Sequence, residues 1–335
     1  MLDRYYLENR ILNFDKSYIV EGYTIAGPKE NDGRLHATFD MALKDDMFGQ
    51  TTFERAERKM FEHCISGAIS KANMQTRDID YILGGDILNQ NVSASYACRK
   101  FHCGYVGLYN ACATYVESLI VASSLLQSGA RTALCVSGSH FSTVERQYRY
   151  PLELGVLRSP MTQWTVTGVG ATVLQSEKDD LPKVTRGMFG RVIDYGIMDI
   201  NNMGAAMAPA ACDTLVTYFE RTNTKPSDYD LIVTGDLGKL GKDILIDLMS
   251  QKGYDVSDNY ADCGAMLFFD DQKTYQGGSG PACSALGFNA LFLSNIRQGN
   301  IKKMLLVGTG ALMSSTVQFQ GDSIAAVAHL VEISR

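Results

Sequence analysis

The chain carries an approximate copy of itself, and this constrains its architecture more than any other feature. Asp78-Ile79-Asp80-Tyr81-Ile82-Leu83-Gly84-Gly85-Asp86 matches Asp228-Tyr229-Asp230-Leu231-Ile232-Val233-Thr234-Gly235-Asp236 at five of nine positions, at an offset of 150 (228 minus 78). The segments ahead of them, 53–72 and 203–222, are both long, alanine-bearing and helical in pattern. Ala111-Cys112 and Ala282-Cys283 open two further helical segments at an offset of 171 (283 minus 112), and the apolar runs 133–136 and 304–307 follow without a gap. The extra 21 residues (171 minus 150) form an insertion between Asp236 and Cys283. Residues 168–176 and 327–334 read as final strands.

Each half therefore reads strand, helix, strand, helix, strand, strand. In the first half these fall at about 17–22, 53–72, 81–84, 112–127, 133–137 and 170–176. Such alternation predicts a mixed α/β sheet with helices packed on it. The polar Glu177-Lys178-Asp179-Asp180 before Pro182 is the expected seam, giving halves 1–180 and 181–335 joined in one compact body.

Composition narrows the function. Of 335 residues, 45% are apolar and 20% charged, as in an ordinary globular protein of two domains or two halves. Lys+Arg 31 minus Asp+Glu 37 leaves -6, which argues against nucleic acid as a partner and against general adhesion to anionic lipid. No apolar run is long enough to span a membrane, and Met1 to Tyr6 open no signal peptide, so a cytoplasmic protein is expected. The eight cysteines include no CxxC pair and are expected to be reduced.

A duplicated half with a cysteine opening its middle helix resembles the thiolase superfamily. A closer resemblance, to the stage V sporulation protein AD family of spore-forming bacteria, is carried by segments in order along the chain. They include Ala26-Gly27-Pro28-Lys29-Glu30, Ala56-Glu57-Arg58-Lys59, residues 85–92, residues 145–151, Met207-Ala208-Pro209-Ala210-Ala211, Asp262-Cys263-Gly264 and Gly277-Gly278-Ser279-Gly280. The resemblance implies a thiolase fold of two similar halves, each a mixed five-stranded sheet, with helices in αβαβα layers. It also implies a homodimer that takes part in uptake of dipicolinic acid into the forespore. Membrane proteins of the same operon would hold it at the forespore or spore inner membrane.

Cys112 occupies the superfamily's acyl-accepting position. A thiol at a helix N-terminus is expected to have a lowered pKa, and a sharp turn into the helix would expose it. Acyl transfer also needs a base and an oxyanion stabiliser. Where the superfamily places His or Asn, and in thiolases a second Cys, this chain has Thr234-Gly235-Asp236, Gly277-Gly278-Ser279-Gly280 and Val307-Gly308-Thr309-Gly310. The reading is therefore a non-catalytic receptor. An acyltransferase using Cys112, with His140 as substitute base, is the alternative, and a purely structural role is a third.

His140 is the best placed of the five histidines, following the strand at 133–137 beside Ser139 and Ser142. The other candidate ligand contacts are Asp262 and Cys263, in a loop of the insertion, with Ser279 and Cys283. Dipicolinate is a flat dianion, so cations are sought as well. Arg146 and Arg149 lie three apart, and Lys59 is a further candidate; structural ion pairing explains the arginines equally well. Asp262 could meet a pyridinium, or calcium carried by the ligand, but no protein-held metal and no cofactor is expected. Residues 235–242 lack P-loop spacing, and Asp243 stands where Ser or Thr is required.

Overall fold

In a computed structural model, residues 10–148, 158–178, 180–314, 316–317 and 320–335 are described. Fourteen strands occur among them: β1 Ile11–Asn13, β2 Tyr18–Ala26, β3 Met41–Ala42, β4 Tyr81–Gly85, β5 Gly104–Gly107, β6 Thr132–Ser139, β7 Trp164–Thr165, β8 Gly168–Gln175, β9 Lys183–Met188, β10 Leu231–Thr234, β11 Tyr260–Asp262, β12 Gly278–Ser279, β13 Lys303–Ala311 and β14 Ala326–Ser334. The main sheet runs β11-β10-β13-β14-β9-β2-β8-β6-β4-β5. This order reads as two sets of five. In one, β2-β8-β6-β4-β5 are antiparallel, antiparallel, parallel and parallel. The other, β9-β14-β13-β10-β11, repeats that pattern. The sets touch at a single antiparallel pair, Tyr18 with Lys183. Each is thus the mixed five-stranded sheet that the family resemblance implied.

Five layers follow from where apolar faces lie. The helix Thr114–Gln127 is apolar nearly all round, with Tyr115, Val116, Leu119, Ile120, Ala122 and Leu126 fully buried. Such a helix needs protein on every side. It packs on β4 and β6 of the first set and on β9, β13 and β14 of the second. Beside it lies the helical run Pro281–Gly287, Phe288–Phe292 and Leu293–Arg297, whose middle turn is a π-bulge. Outside the sheets, Phe53–Lys71 covers β2 and β8, and Met203–Thr222 covers β13 and β14. Three apolar clusters fill the spaces, one in the middle and one under each outer layer.

The π-bulge positions Asn289 to tie the central helices together. Its Oδ1 accepts from Thr172 Oγ1 at 2.8 Å, and its Nδ2 donates to Tyr115 OH at 3.0 Å and to the Ala285 carbonyl at 2.8 Å. Tyr115 OH and Thr172 Oγ1 close the triangle at 2.7 Å. A Cβ at Gly22 would lie 2.2 Å from Asn289 Oδ1, so only glycine fits beneath this amide. A second buried device is Glu30, whose Oε1 accepts from the Thr167 N–H at 3.0 Å. Burial pushes its carboxyl up to about 8. It therefore holds its proton at neutral pH.

Two outcomes are expected. Asn289→Ala strands Tyr115 OH and Thr172 Oγ1 in the middle layer, so it should lower stability by about 2–4 kcal/mol in chemical denaturation. Glu30 is protonated when folded and ionises when unfolded. Its native pKa lies above its unfolded value, so stability should fall as pH rises from about 4.5 to about 8. Glu30→Gln should flatten that slope in melts run across the same range.

Candidate functional site

A cavity of about 260 Å³ opens beside the N-terminal end of the first central helix. Ala111 there adopts φ +50°, a left-handed conformation that L side chains seldom take, and this turns the chain sharply into the helix. The turn delivers Cys112, 7% exposed, into the cavity wall. Ile87, Val144, Met203, Leu312 and Met313 make the walls apolar. The polar groups are few: Cys112, Ser279, Thr165, Tyr109 and Tyr148. Tyr109 OH lies 2.8 Å from Tyr148 OH, which donates to the Ile87 carbonyl at 2.6 Å. The described lining residues carry no charged side chain.

Asp236 lies beneath the cavity, 1% exposed. Its Oδ2 accepts from Gly280 N–H at 2.9 Å and from Ser279 Oγ at 3.3 Å, and its Oδ1 accepts from Thr309 Oγ1 at 2.7 Å. Gly280 reaches this position at φ +105°, where a Cβ would also press on Ser139 Oγ at 2.7 Å. Burial, and next the neighbouring Asp236 charge, push the Cys112 thiol well above its ordinary value. Burial also raises Asp236, against the pull of its donors.

The dipole-lowered thiolate expected from sequence is therefore corrected. Burial and the Asp236 charge keep Cys112 in its neutral thiol form. Asp236 was legible in the sequence only as a missing histidine. The slot itself was the signal: a residue that replaces a base beside a nucleophile faces that nucleophile.

Of the other expected site residues that are described, the structure brings only Ser279 to the cavity with Cys112. Asp262 is not a loop carboxylate. It ends β11, 2% exposed, and accepts from Leu237 N, Gly238 N, Ala265 N and Thr234 Oγ1 at 2.7–2.9 Å. It caps the helix Cys263–Leu267, and burial lifts its carboxyl to about 6. Cys263 and Cys283 are buried in the middle core. His140 is fully buried; Nε2 meets the Asp46 carbonyl at 2.8 Å, and Nδ1 accepts from Ser142 N at 3.2 Å. With both nitrogens engaged and its pKa lowered by burial, it is not placed to act as a base for Cys112. Lys59 Nζ donates to the Phe48 carbonyl at 2.9 Å and sits over that ring at 4.2 Å. Arg146 pairs with Glu54 on the surface. Arg149 lies outside the described residues.

A family model described as Stage V sporulation protein AD (SpoVAD) matches residues 9–334. The stage V sporulation protein AD of Bacillus subtilis (strain 168) is 41% identical over 313 residues, covering 93% of this chain and 92% of that protein. Among solved structures, cerulenin-bound OleA of Xanthomonas campestris aligns with TM-score 0.64 at 15% identity, over 97% of this chain and 98% of that one. The 3-oxoacyl-[acyl-carrier-protein] synthase III of Aquifex aeolicus VF5 aligns with TM-score 0.58 at 13% identity, over 95% and 100%. These last two show the thiolase-like fold alone.

Asp236→Asn removes the negative charge while keeping the side chain's shape. The Cys112 pKa should then fall, and alkylation by iodoacetamide at pH 8 should speed at least about tenfold, the effect of one pKa unit. Peptide mapping by mass spectrometry separates Cys112 from the partly exposed Cys103.

Proposed function

The chain belongs to the stage V sporulation protein AD family, and from that premise we propose that this sporulation protein is a non-catalytic receptor for dipicolinic acid, acting in its uptake into the forespore. The observation that supports the non-catalytic part is the burial of Cys112, 7% exposed, which with the Asp236 charge holds its thiol well above the ordinary value, whereas acyl transfer needs the thiolate. His140, the one substitute base found in the sequence, is bonded elsewhere.

The cavity supports a small flat ligand. About 260 Å³ lies just below the usual range for drug-sized pockets and suits a single ring. The walls are apolar, with hydroxyl and thiol groups spaced among them. The described lining is uncharged, so a bare dianion would enter at a large desolvation cost. A ligand with its charge compensated, such as the calcium chelate, fits this lining better. Attachment to the membrane through protein partners and assembly as a homodimer belong to the same proposal. No helix among the described residues is long and apolar enough to cross a membrane.

Calorimetric titration with dipicolinic acid, with and without calcium, tests this reading. Saturable binding should be tighter with calcium. Ser279→Leu, which fills the cavity, should weaken it at least about fivefold, or ~1 kcal/mol. Arg146→Ala, on the surface, should leave it unchanged. The sole tryptophan, Trp164, adjoins the lining residue Thr165 and gives a second readout by fluorescence. No binding under any condition would overturn the proposal, as would binding that Ser279→Leu leaves intact.

A further inference from the structure

Four hydroxyls stand among the described residues that line the cavity: Tyr109, Tyr148, Thr165 and Ser279. A hydroxyl has one proton to give and two lone pairs that accept. Which of these it offers a ligand depends on where its proton already goes. Tyr148 OH gives its proton to the Ile87 carbonyl at 2.6 Å, since a carbonyl can only accept. Tyr109 OH, 2.8 Å from the Tyr148 oxygen, is then the donor of that pair. Thr165 Oγ1 donates to Glu145 Oε1 at 3.1 Å, and Ser279 Oγ donates to Asp236 Oδ2 at 3.3 Å. All four protons are therefore spent inside the protein, and lone pairs are what these hydroxyls have left for a ligand. The Gly280 N–H beside Ser279 is spent as well, on Asp236 at 2.9 Å.

Carboxylates behind the wall hold this polarity in place. Glu145 is 1% exposed, on the helix Phe141–Tyr148, and its Oε2 pairs with Arg158 Nη1 at 3.2 Å. Thr165 and Ser279 are register partners in the short β7–β12 ladder, so both oxygens sit on one fixed piece of backbone. Turning either hydroxyl proton toward a ligand would take a donor from a buried carboxylate, which costs more than losing a neutral bond. Asp236 also places a full negative charge under the cavity, and its partners Gly280, Ser279 and Thr309 are uncharged. The helix that starts at Thr114 sets only about half a unit of positive charge against it.

We infer that the cavity takes a single flat ring that carries hydrogen-bond donors or positive charge, and turns away a ring whose polar atoms are bare carboxylate oxygens. A carboxylate entering here would give up its water and meet lone pairs. An amidinium or a ring N–H would meet acceptors. A calcium-bound dicarboxylate obeys the same rule, because the ion neutralises the oxygens and the waters it holds are donors. The inference deepens the receptor reading, and rests on it only in taking this cavity as the binding site.

Benzamidinium, benzamide and benzoate share one shape and differ in polarity, so each is titrated into the full chain by calorimetry at pH 7. Affinity should fall in that order, with benzamidinium at least about tenfold tighter than benzoate. Ser279→Leu, which fills the cavity, should abolish benzamidinium binding. Thr165→Val removes an acceptor and should weaken benzamidinium at least about threefold. Tyr148→Phe removes an acceptor and releases the Tyr109 proton, so the benzamidinium-to-benzoate ratio should narrow at least about threefold. That ratio does not depend on how much of a variant is folded. Benzoate binding as tightly as benzamidinium, no binding of any of the three, or benzamidinium binding that Ser279→Leu leaves intact would overturn the inference. Metal-free dipicolinate binding as tightly as its calcium complex would also overturn it, while leaving the receptor reading in place. Benzamidinium binding with no dipicolinate binding in either form would support it and overturn the receptor reading.

Discussion

The first central helix has a sheet on each of two faces, and the rest of the structure is arranged to make that tolerable. A helix buried on most of its sides gains its stability only when both sheets close over it, so neither set of five strands is complete alone. The two sets share only one backbone pair, Tyr18 with Lys183. Their union rests instead on side chains of the middle layer, Tyr115, Leu119 and Ile120 in one cluster with Phe288, Leu306 and Val331, with the Asn289 triangle as a polar lock. The same helix fixes the site, because its N-terminal end is where the sharp turn at Ala111 meets the loop from Gly277 to Gly280.

At that meeting point the chemistry turns on a single carboxylate. A helix start and a strained turn would leave a thiol exposed and acidic. Burial, and next the Asp236 charge, reverse this. The carboxylate is no accident of packing: backbone and hydroxyl donors from Gly280, Ser279 and Thr309 all converge on it. The loop from Gly277 to Gly280 and β13 hold the carboxylate in place.

Much of the fold was legible because it rests on periodicity. The repeat located β4 with β10 and β6 with β13, and the alternating pattern found the helices near 53–72, 112–127 and 203–222 and the run that Cys283 opens, but not the helix Gly238–Gln251. What periodicity could not show were the edge strands β5 and β11. Gly104-Tyr105-Val106-Gly107 and Tyr260-Ala261-Asp262 are too short and too mixed to alternate, and only the family resemblance implied a fifth strand. Site residues were legible where the backbone dictates them, as at Cys112 and Ser279. They were misjudged where burial decides. Asp262 reads as a polar loop residue, yet four donors drawn from two separate segments and from β10 enclose it. His140 likewise has a partner, the Asp46 carbonyl, that lies far off in sequence, and Lys59 is taken up by the Phe48 carbonyl in the loop ahead of its own helix.

Cys112 lines the cavity, and the proposed receptor role requires that it carry no acyl group. Intact mass measurement after incubation with acetyl-CoA, and separately with a long-chain acyl-CoA, tests it directly. The account predicts a chain of unchanged mass in both. A hydroxylamine-sensitive mass gain of one acyl group, mapped to Cys112, would contradict it.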